Sequence, residues 1–268
     1  MKITVFTSNK DRHNHLINEL SKIASEIFVI QESRELISFP DTSNFKKKKS
    51  IKKYFSLVQE AEKKIIKRTF IRSNNKKLNL IGLKFGDLNN INKNYFKEFL
   101  KSDIYIVFGS SFIKGELLKF LIKKKTINIH MGISPYYRGS ATNFWPFVKN
   151  QLQFLGITFM MIDDGVDTGK IIHQFRPNLE LGDNVHTVGN KMIRQMIEEL
   201  NKILINFKKI QPKKQSFKKN ICVFKKKDFN QKAIFELKKN MNANIIQKYL
   251  NKKNEIDKKF KIVKNGIL

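Results

Sequence analysis

Apolar and polar positions alternate along this chain in two rhythms. Short β-branched or aromatic runs predict strands, and between them apolar residues recur at helical spacing. "KITVFT" (Lys2–Thr7) reads as a first strand. "SNKDRH" breaks it, and Leu16, Leu20 and Ile23 then follow at helical intervals. "EIFVIQ" reads as a second strand. A strand–helix–strand opening is the mark of a wound, parallel α/β sheet. Residues 32–60 are less regular, residues 60–72 look helical, and "SNFKKKKSIKK" reads as a solvated, mobile charge run.

Further along, "DIYIVFGSS" (Asp103–Ser111) is the clearest buried strand. "ELLKFLIKK" is a short helix and "TINIH" the next strand. "LGITFMMID" (Leu155–Asp163) and "GKIIHQF" (Gly169–Phe175) predict two more, joined by "DGVDT". A long helix is expected from Asn184 to Phe207, burying Val188, Met192, Ile193, Met196, Ile197, Leu200, Ile203 and Leu204. "KKIQPKKQ" then reads as a linker. Beyond it, "ICVFKKKDF" suggests a strand, Gln231–Asn240 and Ile245–Leu250 suggest helices, and "KIV" suggests a last strand. The fold class is α/β, a wound and mostly parallel sheet with a short α+β C-terminal extension. The expected division is a catalytic domain over 1–207 and an extension over 208–268, too short for a safe core of its own and so packed on the main domain. No internal repeat is present.

Charge changes this picture only partly. Lys and Arg number 53 against 23 Asp and Glu, a formal +30. That balance invites a polyanionic partner such as RNA. Yet nearly all the excess is Lys, spread through most surface segments, whereas bidentate phosphate reading favours Arg. Abundant Lys, Asn, Ile and Phe are also what A/T-rich codons spell. Nucleic acid is therefore a possible partner but not the favoured one. The lone Cys222 excludes an intramolecular disulfide and a cysteine metal cage. His13 and His15 stand at ligand spacing, but the sequence places no further metal ligands beside them, so no metal site is expected. With no signal peptide and no apolar run long enough to span a bilayer, the expected compartment is the cytoplasm.

Chemistry concentrates in "TINIHMGISPYYRGS". Asn128 and His130, two apart on a strand, share one face, where the strand runs out and open α/β sheets bind ligands. A donor amide beside an imidazole can stabilise negative charge developing on a carbonyl oxygen. "DDGVDTG" supplies the carboxylates Asp163, Asp164 and Asp167 to orient that imidazole, and Asp167 is the best placed. Asn-x-His, Ser-Pro-x-x-Arg-Gly, Gly-x-Thr before an apolar strand, and Asp-x-Gly occur in that order. Ser8, Arg12, His13 and His15 stand near the amino end of the first helix, a place that suits an anion. Capping of that helix by Ser8 or Asp11 is an equal reading. Trp145 reads as a core residue.

"NIHMGISPYYRGSATNFWPF", "GITFMMIDDGVDTGKIIHQ" and "VFGSSFI" resemble the folate-dependent formyltransferases, well over Asp103–His186 and more loosely over the opening. The resemblance implies a Rossmann-like fold, 10-formyltetrahydrofolate as formyl donor and a primary amine as acceptor. It maps a catalytic trio onto Asn128, His130 and Asp167. In that scheme Asn128 and His130 hydrogen-bond the developing oxyanion, and Asp167 orients His130 and takes the amine proton. The pterin is expected between Ser111, Phe112 and Ile113 on one side and Asp164, Gly165 and Val166 on the other. Tyr137 and Arg138, with Ser8 and Arg12, are expected to hold the acceptor.

Within the family, "SPYYRGSATNFW" is nearer the sugar N-formyltransferases, so a phosphate-bearing nucleotide-linked amino sugar is the favoured small-molecule acceptor. The methionyl-tRNA enzyme has a fuller C-terminal domain than this tail. The glycinamide ribonucleotide enzyme has a glycine-rich first loop where this chain has "SNKDRH". Both remain open as alternatives, as do hydrolysis of formyltetrahydrofolate and a plain RNA-binding role.

Overall fold

The computed structural model describes residues 1–33, 45–71, 76–216 and 221–267. β1 (Lys2–Ser8) is buried from Ile3 onward. α1 (Asp11–Ile23) then turns His13, Leu16, Ile17 and Leu20 inward. β2 (Glu26–Ser33) returns parallel to β1 in unbroken register, Ile3 beside Ile27 through Ser8 beside Glu32. The expected strand–helix–strand opening is thus present. α2 (Phe45–Ile65) and β3 (Leu78–Lys84) follow, with β3 parallel to β2.

Next come β4 (Ile104–Phe108), α3 (Gly115–Lys123) and β5 (Ile127–His130), both strands running parallel to β1. Two short elements, β6 (Tyr137–Gly139) and α4 (Trp145–Val148), lead to β7 (Ile157–Met161) and β8 (Ile171–Phe175), both antiparallel to their neighbours. The sheet order is β3-β2-β1-β4-β5-β7-β8. The chain winds outward from β1 to β3, then crosses back to β4. A switch of winding direction therefore falls between the carboxyl ends of β1 and β4.

α5 (Val185–Asn206) buries all eight apolar residues expected of it. Asn184 caps it, accepting from the amides of His186 and Thr187, while Thr187 Oγ1 accepts from the Asn184 amide. Trp145 is core, 4% exposed.

Four local expectations change. The charge run begins outside the described residues, but from Phe45 on its backbone is α2, and of the helix expected over 60–72 only residues 60–65 are helical, as the end of that element. Ile51 and Tyr54 bury one side of α2 in the core while Lys49, Lys52 and Lys53 are exposed, so α2 is amphipathic. β3 and β6 were not foreseen. "KIV" is not a strand, although Val263 exchanges hydrogen bonds with Gln174, through its carbonyl to the amide at 2.8 Å and its amide to Oε1 at 2.9 Å.

After α5 the chain runs back across the sheet edge. Lys213 exchanges two backbone hydrogen bonds with Ile171. β9 (Cys222–Phe224) pairs parallel with β6. α6 (Gln231–Asn242), α7 (Ile245–Asn251) and α8 (Lys253–Lys259) complete the described elements. Ala233, Ile234, Leu237, Ile245, Ile246 and Tyr249 from this part are buried in the same core as the sheet. Among the described residues, no helix is long and apolar enough to cross a membrane.

Candidate active site

β5 lies between β4 and β7, so its register is fixed from both sides: Asn128 sits beside Val107 and Met160, and His130 beside Thr158. Ile127 and Ile129 face the core, which turns Asn128 and His130 together to the other face. The carboxylate has farther to travel. β7 ends at Met161, opposite Ile127 at the start of β5, so the following loop sets out at the far end from His130 and folds back over the sheet.

Asp163 staples that loop, accepting from Thr168 Oγ1 at 2.8 Å and from the Gly165 amide at 3.2 Å. Gly169 is required there, since a Cβ would lie 1.7 Å from the Met161 carbonyl oxygen. Asp167 takes a left-handed φ of 53°, which Asp tolerates better than most residues.

The loop delivers Asp167 to both β5 side chains. Its Oδ2 is 3.2 Å from His130 Nδ1, and its Oδ1 accepts from Asn128 Nδ2 at 3.3 Å. The amide of Gly139 donates to Oδ2 at 2.8 Å. The sequence-derived trio therefore forms one polar cluster. Its second half differs from expectation. His130 Nε2 is 2.8 Å from the carbonyl oxygen of Tyr137, so it does not point to a vacant reaction site. A carbonyl only accepts, as does an ionised carboxylate, so both ring nitrogens face acceptors and a hydrogen on each satisfies the geometry. Gly132 leaves room for the ring: a Cβ there would come within 2.7 Å of His130 Nε2. Gly139, at φ 89°, has a similar reason, since a Cβ would meet the Phe224 carbonyl oxygen at 2.2 Å.

The expected pterin residues divide. Ser111 is pinned, its amide and Oγ both donating to Glu32, which also accepts from the Gly86 amide at 2.8 Å. Glu32 is fully buried, so these three donors satisfy a carboxylate removed from water. Phe112 is half exposed. Its carbonyl accepts from Asn89 Nδ2, and Asn89 Oδ1 accepts from the Lys114 amide. Ile113 lies in the core beside Phe6 and Leu117 and forms no open wall. On the other loop Asp164 and Val166 are exposed and Gly165 is half-buried.

The expected acceptor residues scatter more. Arg12 is turned toward α2: its Nη1 lies 3.1 Å from Glu62 Oε2, and its amide also donates to that carboxylate. The Tyr137 ring is buried, its hydroxyl donates to Gln151 Oε1, and burial pushes its phenol well above the usual range. Only its carbonyl reaches the cluster. Arg138 is half-buried on β6, opposite Val223. Ser8 is buried at the end of β1 and its Oγ has no hydrogen-bond partner among the described residues. His13 is buried against Phe108, with Thr7 Oγ1 2.8 Å from its Nδ1. Neither Ser8 nor Asp11 caps α1; Lys10 holds the cap position without a side-chain bond, and Asp11 accepts from the Thr69 amide.

The formyl transferase family model matches residues 1–204, three quarters of the chain. The chain belongs to the formyl transferase family. Among curated relatives, a methionyl-tRNA formyltransferase of Endomicrobium trichonymphae is 37% identical over 86 residues, 32% of this chain and 27% of the relative. A GDP-perosamine N-formyltransferase of Brucella melitensis biotype 1 is 28% identical over 95 residues, 35% of this chain and 36% of the relative. The chain thus spans only about a third of the length of these relatives. Among solved structures, the N-formyltransferase of Helicobacter canadensis, in complex with folinic acid and dTDP-3-aminofucose, superposes with a TM-score of 0.54 at 15% identity. That match covers 88% of this chain and 79% of the other. The likeness establishes a shared fold.

Motif spacing singles out Asn128, His130 and Asp167, which the structure brings together. It missed Glu32, the Tyr137 carbonyl and the Gly139 amide. Glu32 had a signal, a carboxylate near the end of a strand whose middle, Ile27–Ile30, is apolar. The two backbone groups had none, because a main-chain donor or acceptor has no residue type. Two cavities, of about 920 Å³ beside residues 86–94 and about 310 Å³ between α2, α5 and α6, lie away from the cluster.

Proposed function

We propose that this chain transfers the formyl group of 10-formyltetrahydrofolate to the primary amine of a small, phosphate-bearing acceptor, with a nucleotide-linked amino sugar as the favoured class. The observation that carries the reading is the Asp167 carboxylate, held at once by His130 Nδ1, Asn128 Nδ2 and the Gly139 amide.

When bound, the folate supplies an activated one-carbon unit. Phe112 and Val166 suit its flat ring system, being exposed apolar side chains on the two loops that border the cluster, and backbone groups of those loops would read its polar edge. The chain's own residues do the rest. Asn128 has a second amide hydrogen that no other hydrogen bond among the described residues uses. It is the donor for the carbonyl oxygen that gains charge. His130, held by the Tyr137 carbonyl at Nε2 and 3.2 Å from Asp167 Oδ2 at Nδ1, helps fix the position of Asp167. Asp167 Oδ1 is the site that accepts the proton leaving the amine. Ser8 Oγ and the Arg138 guanidinium are the groups proposed for an acceptor phosphate.

A methionyl-tRNA acceptor is the second reading. The Endomicrobium relative and the +30 charge favour it, and the dispersal of the lysines opposes it. An acceptor screen decides between them. The chain is incubated with 10-formyltetrahydrofolate and a panel of nucleotide amino sugars, glycinamide ribonucleotide and charged initiator tRNA, and each product is read by the mass of one added formyl group. Formylation of an amino sugar, lost in Asp167→Asn, is the expected result. Formylation of the tRNA alone promotes the second reading, and formate release with no formylated amine makes the chain a hydrolase.

A further inference from the structure

We propose that Gln215 is a positioning residue for the reaction, holding the Asp167 loop in its working shape from outside the matched family region. This rests on the reading of Asp167 as the proton acceptor. Gln215 lies beyond residue 204, where the family match ends, in the segment the sequence presents as a linker. It is nonetheless 9% exposed. Its Nε2 donates to the carbonyl oxygen of Asp167 at 3.0 Å and to that of Gly169 at 2.8 Å. Both partners only accept, so the amide nitrogen must face them.

The two bonds straddle Thr168 and close a clamp on the backbone immediately around the catalytic carboxylate. That backbone has reason to be clamped. Asp167 is left-handed, a conformation that costs a non-glycine residue energy and persists where its surroundings enforce it. Gln215 is itself held in place two residues away, where Lys213 and Ile171 exchange backbone hydrogen bonds at 2.7 and 2.8 Å. Thus β8 anchors the segment, the segment presents an amide, and the amide fixes the Asp167 carbonyl. Asp163 staples the loop by its side chain, and Gln215 fixes it by its main chain.

The test reads the position of Asp167 directly and needs no acceptor. The full chain is labelled with ¹⁵N-histidine, and His130→Gln assigns the His130 signals among the five histidines. Solvent exchange of the His130 Nδ1 proton, which faces the Asp167 carboxylate, is compared between variants. In Gln215→Met, which keeps bulk but removes both donors, exchange should quicken roughly tenfold or more, toward the rate in Asp167→Ala. Gln215→Asn, an amide one methylene short, should fall between. Leu237→Ala, a core change on α6 chosen to match the thermal destabilisation, should leave the exchange rate as it is. The proposal is overturned if Gln215→Met exchanges like the wild type, or if Leu237→Ala quickens exchange as much. Should Gln215→Met fail to fold, Gln215→Asn carries the same comparison. A chain that formylates no amine overturns the functional reading and leaves this result standing.

Discussion

Nε2 of His130 lies 2.8 Å from the carbonyl oxygen of Tyr137, seven residues further along the chain. Both ring nitrogens thus face protein acceptors, and on the proposed reading the donor role toward the reacting oxygen falls to Asn128. Asn128→Ala should lower the rate of formyl transfer roughly 10²–10³-fold, as loss of one preorganised donor does. His130→Ala should cost a similar factor through the released carboxylate. Because the two act as a unit, the double variant should lose little more than the worse single one. Single-turnover rates check this, and additive losses would mean two independent roles.

Glu32 gathers the Ser111 amide, Ser111 Oγ and the Gly86 amide on one buried carboxylate. Glu32→Gln keeps the shape but turns a donor toward donors. A buried group so mismatched costs about 1–3 kcal/mol. The expected result is a weakened Kd for tetrahydrofolate by titration calorimetry, tenfold or more, as the Ser111–Ile113 turn loosens.

Arg12→Ala should act on stability and spare acceptor use. The substitution leaves Glu62, 7% exposed, without its guanidinium, at a cost of about 2–4 kcal/mol. Chemical denaturation reads the loss, and Arg12→Ala combined with Glu62→Leu should recover most of it. A raised KM for the acceptor at unchanged stability would restore Arg12 to the substrate side.

Acid should destabilise the fold through three histidines. Burial holds His15, His173 and His186 below the ordinary value of 6.5. His173 also uses Nδ1 to accept from the Asn265 amide at 3.2 Å, which a protonated ring cannot do. With folded values depressed, the unfolded chain binds more protons in the window below 6.5. The associated stability is complete above 6.5 and is lost as the pH falls through the folded values. Thermal midpoints at about pH 7.5 and about pH 5.5 should differ by several degrees, and by less in His173→Gln.

Much of this fold and its chemistry can be read in the chain before any coordinates. The interior strands and α5 bury nearly every apolar residue, so their patterns are unmixed; Asn128 and His130 stand out as polar residues in such a run, and Asp167 in the short acidic loop between two of them. The edge hides more. β3 exposes alternate residues, including Leu80 at 45%, and has a glycine in its middle, so neither rhythm is clear. α2 carries its apolar stripe among lysines dense enough to read as a solvated run. β6 is three residues long, and its partner β9 lies far along the chain. Arg12 misled for a related reason: nothing near it in sequence announces Glu62, and a cation beside a helix start resembles an anion site until its partner is seen.

That distant pairing sets a schedule. Tyr137–Gly139 supplies the carbonyl that His130 binds and the amide that Asp167 binds, yet among the described strands it pairs only with Cys222–Phe224. A ribosome finishes the first long before it begins the second. Nascent chains fold from the amino end as they emerge, so the seven-stranded sheet can assemble while one wall of the site still has a bare edge. An interval follows in which the sheet can stand while Tyr137–Gly139, and with it the proposed reaction centre, still lacks its partner strand Cys222–Phe224.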